Sequence, residues 1–139
     1  MIIRKYDDYY LVKVFNKILN SFNIYDIDSI KIFFGSIFKN LNAKYKLSGL
    51  YNVDVYVNEL YGMIIEIVSI DKYFSDIDMR INIHLNNYFL VEICNNDILD
   101  YEDVYYYKGR FYGNYKDLCD SEIIYKNADE IINNGIKVC

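Results

Sequence analysis

The sequence contains no proline, no tryptophan, one histidine and three cysteines, and each scarcity closes off a class of protein. Cys94, Cys119 and Cys139 are odd in number and share no CxxC spacing, so they encode neither a disulfide framework nor a metal clip, and reduced thiols are expected. Asn, Lys and Asp interrupt the apolar residues every few positions, leaving no run near the ~20 residues that span a bilayer. The opening MIIRKYDDYY lacks an apolar export core. A cytoplasmic protein without membrane contact is therefore expected. Positive charge is also short: 15 Lys and Arg face 20 Asp and Glu, a net charge of -5, which disfavours binding to phosphate backbones and removes nucleic acid from the expected partners.

What the chain does have is apolar and aromatic substance. Hydrophobic residues make up 53% and aromatics 18%, with 17 tyrosines, which excludes intrinsic disorder. No repeat, low-complexity tract or linker rich in Pro, Gly or Ser divides it, so a single α+β domain over residues 1–139 is expected. The preference for Ile, Asn, Tyr, Lys and Asp over Ala, Arg and Pro is that of an AT-rich, bacterial-type coding sequence.

Periodicity assigns the elements. Leu11, Val14, Phe15, Ile18, Leu19 and Phe22 follow helical spacing after Asp7 and Asp8, although residues 9–15 (YYLVKVF) suit a strand as well. Ile30, Phe33, Phe34, Ile37, Phe38, Leu41 and Tyr45 form a second helical stripe, with Asp28 or Ser29 as its N-cap. From Ser48 the period falls to two. Val53, Val55 and Val57 alternate with Asp54, Tyr56 and Asn58, and GMIIEIVSI follows after a short NELYG connection. MRINIHL and YFLVEIC read as a second hairpin about Asn86-Asn87, and VYYYKGRFYGNY as a third about Lys108-Gly109, pairing Tyr107 with Arg110, Tyr106 with Phe111 and Tyr105 with Tyr112. EIIYK suggests one more strand, and Asn127 with Glu130 resembles a capping box opening a short helix that Gly135 ends. The expected fold is two N-terminal helices packed on an antiparallel, hairpin-built sheet of about five to seven strands, with a short C-terminal helix.

Catalytic constellations are sparse. There is no phosphate loop, GxSxG elbow, HExxH or dinucleotide fingerprint, and no cofactor is expected. By alternation His84 points with Asn82, Arg80 and Asp78, and its expected cross-strand neighbour is Phe89, which offers no proton relay. Asp76 and Asp78, two apart at the mouth of a strand, point the same way and suit a shared divalent cation. This SDIDMRINI stretch resembles the Asp-x-Asp strand of the nucleotidyltransferase superfamily, with Gly35-Ser36 in the place of that family's Gly-Ser pair. The resemblance implies a metal-dependent enzyme using Asp76 and Asp78, with Asp54 or Glu66 as a third carboxylate. The chain departs from the pattern in placing Gly35-Ser36 far upstream, with a whole hairpin between.

The most informative surface is the tyrosine hairpin. With Val104, Tyr106 and Phe111 turned to the core, Tyr105, Tyr107, Arg110 and Tyr112 stand together on the other face, beside the acidic residues Asp100, Glu102 and Asp103. Tyr and Arg are enriched at the energetic centres of protein interfaces. The same tyrosines would suit single-stranded RNA, but Asp97, Asp117, Asp120 and Glu122 add negative charge on both sides. On this reading the chain is a non-catalytic protein-binding module of the adaptor, inhibitor or immunity type, whose partner is a protein. A homodimer through the same face would also cover it, and the alternative is that both faces of the hairpin are covered within the fold, by the helices or by the tail. Lys31, Lys39, Lys44 and Lys46, on or just after the second helix, read as a solvated face that would also make the molecule dipolar and able to steer association.

Overall fold

A computed structural model describes residues 2–15, 23, 25–58, 62–71, 77–85, 87–93, 101, 103–114 and 123–138. The fold is α+β, but the expected pair of N-terminal helices is not found among the described residues, where residues 9–15 form a strand. Among the described residues there are two helices, one of 19 residues and one short C-terminal helix, and nine strands in two sheets rather than one. Backbone contacts divide the chain into two compact units, Met1–Val55 with Gly62–Ile83, and Tyr56–Tyr61 with His84–Cys139.

The first unit is built on a five-stranded sheet in the order β1-β2-β4-β3-β5, from β1 (Ile2–Lys5), β2 (Tyr9–Phe15), β3 (Leu50–Asn58), β4 (Gly62–Asp71) and β5 (Asp78–His84). The ends of β3 and β5, from Tyr56 and at His84, group with the second unit. β2 occupies the place where the first helix was expected; residues 16–22 of that expectation lie outside the described set. The reason is burial on both faces. Between β1 and β4, Leu11, Val12 and Val14 are all buried, so the strand has no wet face to impose alternation and its apolar positions pass equally for a helix. Lys13 (5% exposed) and Glu66 (7%) lie on one side of this ladder with Leu11.

Helix α1 (Ile27–Tyr45) covers the opposite side. Phe34, Ile37, Phe38 and Leu41 are buried; the Phe38 ring meets Tyr51 at 5.9 Å, and Tyr45 meets Tyr10 at 5.2 Å. Its N-cap is Asp26, not Asp28 or Ser29: the Asp28 N–H donates to Asp26 Oδ1 at 3.1 Å and Ser29 Oγ to Oδ2 at 3.3 Å. Lys46, in the left-handed region at φ 54, closes the helix, while the Leu47 N–H donates to Asn42 Oδ1 at 2.8 Å.

The second unit holds a four-stranded sheet in the order β6-β8-β7-β9, from β6 (Leu90–Glu92), β7 (Val104–Tyr107), β8 (Arg110–Asn114) and β9 (Ile136–Lys137), with helix α2 (Ala128–Asn134). The expected β5–β6 hairpin is absent, because β5 extends the first sheet and β6 pairs with β8. Asn87 enforces the parting: its N–H donates to the Val57 carbonyl and its own carbonyl accepts from Asn58 Nδ2, each at 2.9 Å, so the chain is tied to the end of β3 instead of reversing in two residues. Of EIIYK, Ile124 forms a single bridge to Leu90. Asn127 precedes α2 in the left-handed region without a side-chain cap; Glu130 turns to Tyr107 instead. No helix among the described residues is long and apolar enough to cross a membrane.

Candidate binding surface

The third expected hairpin forms in the expected register. Lys108 (φ 46) and Gly109 (φ 81) make the two-residue turn, whose double positive φ matches the twist of paired strands, and Tyr107 faces Arg110, Tyr106 faces Phe111 and Tyr105 faces Tyr112.

Both of its faces are covered in part: Val104, on the side expected to meet the core, is buried, and the side expected to stand free is packed as well. Tyr105, Tyr107 and Tyr112 pack against the cluster of Leu90, Ala128 and Ile131, so α2 covers the side that carries them. The Tyr107 hydroxyl donates to Glu130 Oε1 at 2.9 Å, and Lys108 Nζ stands 5.1 Å from the Tyr107 ring centre. Arg110, on the same side, meets Glu92 at 3.4 Å in an exposed pair. Asp103 accepts from Asn114 Nδ2 at 2.9 Å and pairs with Lys137 Nζ at 3.0 Å. That partnership raises the Lys137 pKa above 10.5, through the hydrogen bond first and the charge second. Asp100 and Glu102 lie outside the described residues, as do Asp97, Asp117, Asp120 and Glu122.

The other side of the sheet is apolar throughout. Register places Val91, Gly113 and Val104 in one row, with Val138 bonded to Val104 at its end, and Phe111, Tyr106 and Ile136 in the next, with Ile93 bonded to Phe111. Val91, Ile93 and Val104 are buried, and a Cβ at Gly113 would overlap the ring of Tyr101, which lies against it. Toward β9 the cover ends: Tyr106 is 38% exposed, Val138 45% and Ile136 64%. Tyr106 and Phe111 meet at 5.2 Å between ring centres. Ile136 and Val138 were not singled out from sequence, and only the pairing of a two-residue terminal strand brings them beside Tyr106. The available signal was their alternation around Lys137.

Asp76 lies outside the described residues, and Asp78 Oδ1 accepts from the Met79 N–H at 2.8 Å. Asp54 accepts from Asn52 Nδ2 at 2.9 Å, while Glu66 is buried opposite Leu11. Gly35 and Ser36 sit exposed in the middle of α1, a helix surface and not a phosphate-binding loop. His84 stacks on Tyr56 at 4.7 Å and 10° instead of facing Phe89. Cys94, Cys119 and Cys139 lie outside the described residues. Among those described, no three His, Cys, Asp or Glu side chains gather where a metal ion would fit.

A scan against protein-family models gave no match, and searches of curated proteins and of solved structures found none with significant similarity.

Proposed function

We propose that this chain is a non-catalytic protein-binding module of the cytoplasm, which engages a protein partner through the outer face of the β8–β7–β9 strands. The observation that carries the reading is the contiguous exposure of Tyr106, Ile136 and Val138 on an otherwise apolar sheet face. Water around such a strip is unfavourable by roughly 25 cal/mol per Å² of apolar area, so a partner that covers it gains that energy directly. Tyr106 supplies the large, stiff side chain on which interface energies concentrate.

The test is capture by the purified chain, compared with an Ile136→Asp, Val138→Asp double variant. Both residues are exposed, so the variant should unfold near the wild-type temperature. The wild type should retain one protein in stoichiometric amount and the variant should lose it; a wild-type dimer that sediments as a monomer after the substitutions would identify a second copy as that protein. Equal capture by both forms would refute the assignment of this face.

A further inference from the structure

Each sheet ends on strands whose outer backbone groups no described strand takes up, and one of these edges differs from the rest. β1, β6 and β9 are four, three and two residues long, and β1 carries Arg4 and Lys5. Short length and basic side chains are the usual means by which an edge avoids pairing with another chain. β5 has seven residues and neither Lys nor Pro, and its Asp78, Arg80, Asn82 and His84 are all exposed.

The strand runs parallel to β3. The Asp78 N–H donates to the Gly49 carbonyl at 3.1 Å, Asn82 Nδ2 reaches Asn52 Oδ1 at 3.2 Å, and His84 stacks on Tyr56. Backbone groups alternate sides along a strand as side chains alternate faces. With Asp78 bonded inward, the N–H and C=O of Met79, Ile81 and Ile83 therefore point outward. The Met79 N–H bears this out, because a side chain takes it up, Asp78 Oδ1 at 2.8 Å, and β3 does not. On the side of the sheet that carries Val53 and Val55, Met79, Ile81 and Ile83 are half-buried, and Ile77 and Leu85, beyond the two ends, are 42% and 46% exposed.

Self-pairing fits this edge residue by residue. Two copies related by a two-fold axis bring their β5 strands together antiparallel. With the axis at Ile81, the outward N–H and C=O of Ile81 meet their own equivalents, and those of Met79 meet Ile83. Pairing passes the Met79 N–H from Asp78 to the Ile83 carbonyl of the second copy and releases that carboxylate. The same register sets Ile77 opposite Leu85, Arg80 opposite Asn82 and Asp78 opposite His84. Apolar side chains then face apolar ones, a guanidinium faces an amide, and the released carboxylate faces an imidazole N–H. Moving the axis to Arg80 would set two guanidinium groups against each other, and moving it to Asn82 would set Arg80 against His84. Only the axis at Ile81 pairs every residue of the strand.

We propose that β5 is a dimerisation edge, at which a second copy of this chain pairs antiparallel about Ile81 and joins the two sheets into one. The contact uses none of the residues assigned to the β8–β7–β9 face and does not depend on that reading.

The experiment is sedimentation equilibrium of the full chain from micromolar to millimolar concentration, with amide shifts of the nitrogen-15-labelled protein recorded over the same range. The wild type should pass from monomer to dimer, with the shifts centred on residues 77–85. Asn82→Asp, which sets a carboxylate opposite Arg80, should tighten the dimer severalfold, and Asn82→Arg should weaken it about tenfold. Both substitutions remove the same exposed bond to Asn52, so a defect of folding would move the two variants together, not apart. A chain that stays monomeric at millimolar concentration would overturn the proposal and leave the edge to an extended segment of another protein. Shifts centred on Tyr106, Ile136 and Val138, or Asn82 variants that dimerise equally well, would overturn it too.

Discussion

Replacing Tyr105 or Tyr112 by alanine should unfold the second unit well before replacement of the more conspicuous Ile136 does. Truncating a fully buried aromatic costs about 3–5 kcal/mol. Both tyrosines are about half-buried against Leu90, Ala128 and Ile131, so about 2 kcal/mol each is expected, or a fall in melting temperature of roughly 5–10 °C for a chain of this size. Ile136, 64% exposed, should cost about 0.5 kcal/mol or less. Tyr105 and Tyr112 are direct cross-strand neighbours, and such pairs couple by about 0.2–1 kcal/mol, so the double variant should fall short of the sum of the singles. Urea unfolding followed by circular dichroism reads all four forms with an unchanged slope. Wild-type stability in the Tyr105→Ala, Tyr112→Ala double variant would refute the face assignment, since that outcome requires both rings to stand in solvent.

Two further outcomes follow from the same geometry. Gly113→Ala should displace the Tyr101 ring and lower stability by about 1–3 kcal/mol, measured by the same urea titration; a neutral substitution would mean that Tyr101 does not lie there. Stability should also fall as pH rises beyond about 10. The pKa values of Tyr10, by burial, and of Lys137, by its bond to Asp103, are both raised in the folded chain, above 10.0 and 10.5, so their contributions are complete below those values and are lost as pH climbs through the higher, folded ones. Tyr10→Phe and Lys137→Gln together should flatten the alkaline limb of a melting-temperature profile, and an unaltered limb would contradict both shifts.

Much of this architecture was legible residue by residue. The α1 stripe from Ile30 to Tyr45, the alternation of Val53, Val55 and Val57 and the Lys108-Gly109 turn all rest on interactions within a few positions, where spacing and φ preference decide. Even the register of the tyrosine hairpin follows from its two-residue turn, because a turn of that length leaves one pairing open.

What the sequence by itself determined was local: which stretches repeat with period 3.6 or 2, and where chains turn. Tertiary structure alone decided that residues 9–15 form a strand, since a segment buried on both sides satisfies either period and only the open edges of β1 and β4 select the ladder. It also decided which tyrosines are covered. Tyr105, Tyr107 and Tyr112 differ from Tyr106 and Phe111 by one step of a pleat, and alternation separates two faces without saying which is wet. That choice was made by α2, arriving from more than a dozen residues further along the chain to bury one of them.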